Sequence, residues 1–171
     1  VIDIGSNDGT LLQSFKRLGF SVFGVDPAET VAKVAISSGI ETHIGLFSNE
    51  SISSFPEKYK NADLITAFNV FAHSDKLMEM AECMFKLLSK KGIIIIEVQY
   101  LVNTLKDLTF DNIYHEHYNY WSLTSLTYFF KKFNCTIFRS EKVDTHGGSI
   151  RVYIKKDKKT KIEKSVKQML K

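Results

Sequence analysis

A chain of 171 residues is long enough to close one hydrophobic core, and its 44% hydrophobic and 25% charged residues are ordinary for a folded globular domain. The formal charge of +4 is uneven: residues 155–171 hold eight lysines against Asp157 and Glu163, which leaves the preceding 154 residues at −2 and excludes a basic nucleic-acid surface on the body of the chain. No apolar run reaches the length of a membrane span, the longest being Gly92–Val98 with Glu97 inside it. Cys83 and Cys135 have neither metal-ligand nor disulfide spacing, which suits a reducing cytoplasm.

Val1–Ile4 reads as a strand that breaks into a loop with Gly5 and Gly9 four apart, before Leu11–Leu18 resumes at helical spacing and closes at Gly19. Strand, glycine turn and helix start in that order form a binding device, because the helix start offers unpaired N–H groups and a positive dipole end. Gly5-Ser6-Asn7-Asp8-Gly9 does not have the G-x-G-x-x-G spacing of a dinucleotide loop. Its spacing resembles motif I of the S-adenosylmethionine-dependent methyltransferases, with Asn7 in place of the central glycine, and Asn tolerates a left-handed backbone. The plainer reading is a turn that binds nothing. Ser21–Asp26 is a second strand ending in a carboxylate seventeen residues after Gly9, where a nucleoside-binding sheet places an acid on ribose hydroxyls. The competing role for Asp26 is a cap before Pro27.

Ala28–Ser38 is a second helix and Glu41–Phe47 a short strand, with Leu46 or Phe47 available to an adenine or to the core and His43 at a surface or edge position. Ser48–Lys60 is polar loop with at most a turn of helix, and Ala62–Phe68 is a fourth, buried strand. Asn69-Val70-Phe71-Ala72-His73 follows its carboxyl end, the rim where such sheets bind ligands. Asp75–Leu88 is an amphipathic helix stopped by Lys90-Lys91-Gly92, and Gly92–Val98 is a strand whose four isoleucines fit burial on both faces. Five alternations of strand and helix define an α/β fold with a parallel sheet.

Beyond Tyr100, Leu101–Asn112 is a mixed segment with a short helix, and Ser122 caps a helix through Phe133. Cys135–Asp144 and Ser149–Lys155 form a strand pair around Thr145-His146-Gly147-Gly148. Between them lies Tyr114-His115-Glu116-His117, which with His73 makes a polar cluster among aromatics. Imidazoles titrate near neutrality and can move a proton. A His-x-His pair with a carboxylate is also a metal pattern, but alternation in an extended segment turns Glu116 away from His115 and His117, so no metal ligands are assigned. The lysine-rich tail is a phosphate-binding segment or a solvated helix or linker.

The strings Ile4–Leu12, Asn69–His73, Tyr114–His117 and His146–Arg151, in that order across nearly the whole chain, resemble the sugar C-methyltransferases, which act on nucleotide-linked 4-keto deoxysugars. The resemblance implies a Rossmann-like class I methyltransferase, with a mostly parallel seven-stranded sheet, helices on both faces and an antiparallel strand pair at the C-terminal end. It implies S-adenosylmethionine as cofactor, held by Asp3, Gly5, Ser6, Asn7, Gly9, Asp26, Phe47 and Asn69. It implies His117 as the base that removes the proton beside the sugar carbonyl, with Tyr114, Glu116 and His73 around the ketosugar. Members of the family carry an upstream zinc module and a further C-terminal domain. The expected organisation is therefore a cofactor-binding domain over residues 1–154 and a basic linker or helix over 155–171 leading to a missing domain, with zinc confined to the missing module. Expected partners are the nucleotide-linked ketosugar and the missing domains of the same chain, with neither nucleic acid nor membrane. A role for His146 and Arg151 in substrate contact stays open, against pairing of Arg151 with a surface acid. The competing functions are a methyltransferase with an oxygen or nitrogen acceptor and a non-catalytic cofactor-binding scaffold. A nicotinamide oxidoreductase is disfavoured by the loop spacing.

Overall fold

Strands alternate with helices in the computed structural model, which describes residues 1–170, as the hydrophobic periodicity predicts. The strands are β1 (Ile2–Ile4), β2 (Phe23–Asp26), β3 (Thr42–Ile44), β4 (Ala62–Phe68), β5 (Leu88–Gln99), β6 (Thr136–Val143) and β7 (Ser149–Lys155). The helices are α1 (Thr10–Arg17), α2 (Glu29–Ser37), α3 (Asn49–Ser53), α4 (Leu77–Leu87), α5 (Leu101–Asp107), α6 (Leu123–Lys131) and α7 (Lys164–Met169). The strands form one seven-stranded sheet in the order β3-β2-β1-β4-β5-β7-β6. β1 runs parallel to β2 and β4, β2 parallel to β3, and β7 antiparallel to both β5 and β6. This is the mostly parallel sheet with an antiparallel C-terminal pair that the sequence predicts. No helix among the described residues is long and apolar enough to cross a membrane.

The chain forms two compact units, one of residues 1–67 and 76–92, the other of 68–75 and 93–171. In the first, Leu12, Val22, Ala35 and Ile40 close a buried cluster against which Val1 and Phe15 pack. β1 is buried at all three residues, acid included, and its register sets Asp3 opposite both Gly24 and Thr66. The segment read as polar loop after β3 contains α3, started by a reciprocal Ser48–Ser51 capping box, and a 3₁₀ turn over Glu57–Tyr59. β3 is shorter than predicted, so Phe47 lies beyond it, its ring 6.4 Å from that of Phe55.

Lys90-Lys91-Gly92 is not a stop between helix and strand. α4 ends at Leu87 and Leu88 is already extended, because Ser89 Oγ donates to Asp63 at 3.0 Å and draws the chain into the sheet. Gly92 lies inside β5, where a Cβ would meet the Ala62 carbonyl at 2.8 Å.

The second unit has an aromatic core. Fully buried Phe71 lies within 6 Å, centroid to centroid, of Trp121, Phe129 and Phe130. α6 begins at the predicted Ser122, whose hydroxyl accepts the Ser125 N–H at 3.1 Å. The lysine-rich segment ends in α7, which packs on β6 with Val166 buried, and the Glu163 N–H donates to the Phe138 carbonyl at a β-bulge. Residue 155 closes β7, so the segment begins within the sheet.

Candidate active site

The loop after β1 is built from backbone conformation. Gly5, Asn7 and Gly9 have φ of 72°, 50° and 78°, and Gly5 and Ser6 donate their N–H groups to the Val25 carbonyl. Asn7 therefore occupies the left-handed region that its substitution for glycine requires. Gly9 combines a positive φ with close packing: a Cβ there would meet Ala35 Cβ at 3.1 Å and Ile40 Cγ1 at 3.2 Å. Gly24 is a close-approach glycine, since its Cβ would fall 2.5 Å from Ser6 Oγ. The loop thus lies directly on β2.

Three polar groups are concentrated here. Asp3 is 4% exposed, and Thr66 Oγ1 donates to it at 2.5 Å. Burial, opposed by the Thr66 hydrogen bond and assisted by the Asp26 charge, pushes its carboxyl up to about 7. Asp26 is buried and accepts two backbone N–H groups, from Asn7 at 2.8 Å and from Ala28 at 2.8 Å. It thus ties the loop to the start of α2 and keeps further lone pairs for a ligand. Ser6 Oγ is buried without a partner. A buried hydroxyl with no partner and a carboxyl held near its titration point fit a polar ligand that carries a cationic group, as the amino-acid end of a sulfonium nucleoside does. Phe47 is half-buried against Phe55 in an aromatic group with Phe23, Tyr59 and His43.

The second unit holds a pocket of about 470 Å³, its open mouth included, lined by Asn69, Ala72, His73, Val98, Gln99, Asn112, Tyr114, His117 and His146. Tyr114-His115-Glu116-His117 is a turn rather than an extended segment, closed by the His117 N–H on the Tyr114 carbonyl at 3.1 Å. That geometry corrects the alternation argument. First and last residues of the turn converge, with ring centroids 4.4 Å apart, while the side chains of His115 and Glu116 at its tip are 90% and 61% exposed. Glu116 is consequently not brought into the pocket with the other expected residues.

The segment that follows fixes His73. Tyr118 and Asn119 both donate backbone N–H groups to the Ala72 carbonyl, and Asn119 Nδ2 donates to the Ser74 carbonyl at 2.9 Å. This brings the His73 and His117 rings to 4.8 Å. Burial lowers the His73 pKa, the charge of His117 lowers it further, and the Glu116 backbone and carboxylate oppose them in part. The neutral form of His73 is therefore favoured. His117 Nδ1 lies 2.8 Å from the Asn112 carbonyl. A carbonyl can only accept, so Nδ1 carries the hydrogen and Nε2 is left with its lone pair. The arrangement is an oriented imidazole beside a second imidazole and a phenol.

Several contributors lay outside the sequence reading. Thr66 and Asn112 act on Asp3 and His117 as a hydroxyl and a main-chain carbonyl, neither of which leaves a sequence signal. Glu97 had one: a carboxylate inside an isoleucine run is buried and therefore paired. It is 3% exposed and bonded to Arg151 and Thr145, so Arg151 pairs with a buried acid rather than a surface one. Burial pushes the free thiols of Cys83 and Cys135 up to about 11, which leaves neither as a nucleophile at neutral pH.

The chain is similar to known proteins over most of its length. Residues 1–140 match the family model described as a methyltransferase domain. The chain is 37% identical over 153 residues to the C-methyltransferase NovU of Streptomyces niveus, a match that covers 90% of this chain and 36% of that protein's length. Among solved structures, a SAM-dependent methyltransferase of Thermotoga maritima superposes with a TM-score of 0.70 at 15% identity, covering 91% of this chain and 81% of that one. Magnesium protoporphyrin IX methyltransferase from Synechocystis PCC 6803 with bound SAH gives 0.68 at 14% identity, covering 90% and 72%. At such identities the structural likeness speaks for the fold alone. With four-fifths of its length matched by the family model, this chain belongs to the methyltransferase domain family.

Proposed function

We propose that this chain binds S-adenosylmethionine and catalyses methyl transfer to a carbon beside the carbonyl of a nucleotide-linked 4-keto deoxysugar, with His117 as general base. The observation that carries this reading is the 2.8 Å contact of His117 Nδ1 with the Asn112 carbonyl in a residue that lines the pocket: in the neutral ring it keeps the hydrogen on Nδ1 and the lone pair on Nε2. The likeness to a C-methyltransferase supports a carbon acceptor. A carbon beside a carbonyl has no lone pair to attack with until its proton has been removed, and an imidazole base suits that step.

In this reading the bound S-adenosylmethionine supplies an electrophilic methyl group on a sulfonium. The chain's own residues do the rest. Gly5, Ser6, Asn7 and Gly9 support the methionine portion, Asp3 holds its amino group and Asp26 the ribose, while Phe47 and Asn69 complete the cofactor set. His117 Nε2 takes the proton from the carbon next to the ketone, and the resulting imidazolium is held by the Asn112 carbonyl. A neutral His73 beside it adds no opposing charge as His117 becomes cationic. The Tyr114 hydroxyl and His73 orient the sugar and favour negative charge on its oxygen. Glu116, at the exposed tip of the turn, bears on the pocket only through its backbone and its charge, both of which raise the His73 pKa. Residues 1–154 serve as the catalytic body, and 155–171 as a connection to a further substrate-binding domain.

The test is exchange of the proton beside the carbonyl of a nucleotide-linked 4-keto deoxysugar in heavy water, without methyl donor. Wild-type protein is expected to catalyse it and His117→Ala to lose it by about 10²–10⁴-fold. Exchange that persists in the variant removes His117 as the base. Methylation without any exchange-competent step in the wild type points to an oxygen or nitrogen acceptor.

A further inference from the structure

The turn between β6 and β7 brings His146 to the lining of the pocket at a φ of 51°, a left-handed conformation that non-glycine residues adopt only when held there. Three successive parts of that turn are anchored to the end of β5. Thr145 Oγ1 donates to Glu97 Oε1 at 2.8 Å, Gln99 Nε2 donates to the His146 carbonyl at 3.3 Å, and the Tyr100 N–H donates to the Gly148 carbonyl at 3.1 Å. Within the turn, Ser149 Oγ closes on the Thr145 carbonyl at 3.0 Å.

Glu97 is the centre of this arrangement. It faces Arg151 across the β5–β7 ladder, and the guanidinium forks onto Oε2 with distances of 2.9 and 2.7 Å. A buried ion pair is weak as a stabilising device, since an apolar pair of the same size serves a sheet as well. This pair does something an apolar one does not: with Arg151 balancing the charge on one oxygen, the other is free to hold Thr145. The Glu97 main chain acts on the same pocket, its carbonyl accepting the N–H of Asn69, also left-handed at φ 55°. One residue therefore anchors Asn69 through its backbone and Thr145, the residue before His146, through its side chain.

We propose that His146 contacts the substrate, hydrogen bonding to a hydroxyl of the sugar, and that Glu97 and Thr145 are positioning residues that hold it in place. This rests on the ketosugar reading above and adds a specificity-determining residue to it. It also assigns a task to the buried pair that the proton-transfer step leaves unused. The imidazole of His146 is exposed on the pocket lining, where it can donate or accept without breaking a bond already made.

The experiment uses the protein with four changes: His146→Ala, Thr145→Val, Thr145→Ser and the Thr145→Val/His146→Ala double variant. His146→Ala is expected to raise KM for the ketosugar nucleotide about tenfold, the worth of one hydrogen bond, with kcat within about twofold of wild type. Thr145→Val should produce the same split, add nothing in the double variant, and be reversed by Thr145→Ser, which keeps the hydroxyl. A second readout needs no substrate: the His146 Cε1–H proton resonance should shift towards that of a free imidazole in Thr145→Val and return in Thr145→Ser. An unchanged KM in His146→Ala overturns the contact. A Thr145→Val effect that is purely one of stability, or that adds to that of His146→Ala, overturns the positioning. If wild-type protein does not act on the ketosugar, the functional reading fails, while the resonance still decides whether Thr145 orients His146.

Discussion

In the first unit, the groups offered to a ligand are nearly consecutive, from Asp3 to Gly9 with Asp26 added, and left-handed backbone at Gly5, Asn7 and Gly9 sets their geometry. In the second, the pocket gathers Asn69, Gln99, Asn112, His117 and His146 from five separate segments, and hydrogen bonds between those segments set the geometry. The first kind of site is local and follows from which residues tolerate which φ and ψ. The second is a consequence of packing. It exists only when the aromatic core around Phe71 and the β5–β7 ladder are both formed.

That contrast yields tests of decreasing size. Phe71→Ala empties a fully buried site packed by three rings and should cost about 3–5 kcal/mol in urea denaturation. Because Phe71 opens the turn that carries His73, the pocket should fail with it. A loss under about 1 kcal/mol, within the range of neutral substitutions, would break the claim that packing sets this pocket. Gly24→Ala drives a methyl to 2.5 Å from Ser6 Oγ and should cost about 1–3 kcal/mol, part of it recovered when Ser6 is also changed to Ala. Equal stability of the single and double variants would show that the loop does not bear on β2 through Ser6.

The third test is one of pH. Burial raises the Asp3 carboxyl from 3.8 to about 7, so the folded chain holds the proton more tightly than the unfolded one. The stability this gives is complete below about pH 4 and is lost as pH rises through 7, with a slope of up to about 1.4 kcal/mol per pH unit. Asp3→Asn should flatten that part of the stability curve, measured by urea midpoints between about pH 4 and 8. A slope that survives the substitution assigns it to another group. The smallest expected effect is at Asn7. Glycine there suits the φ of 50° but loses the 2.7 Å bond from the Asp8 N–H to Asn7 Oδ1, so Asn7→Gly should stay within about 0.5 kcal/mol of wild type, against about 1 kcal/mol lost in Asn7→Ala.

The order of strands and helices was legible because burial imposes a period on the sequence. The isoleucines of β5, the strand that ends in Asp26 and the Ser122 cap all announce their elements. Where the reading erred, the deciding contact was a hydrogen bond that the residue pattern does not show. Lys90-Lys91-Gly92 resembles a helix stop until Ser89 is seen bonded to Asp63, and Tyr114–His117 resembles an extended run until its own backbone bond makes it a turn. Glu116 was grouped with its sequence neighbours, yet a turn sends its tip to solvent.

The sequence by itself determined an α/β chain, a glycine loop whose Asn7 tolerates a left-handed backbone, and a set of imidazoles able to move a proton. Those properties belong to residue types and their spacing. The tertiary structure decided which ring nitrogen of His117 is free, where Glu116 points, and what the buried carboxylate at 97 holds. Each depends on a hydrogen bond made in the folded chain, and a hydrogen bond to a main-chain carbonyl leaves no mark on the residue that supplies it.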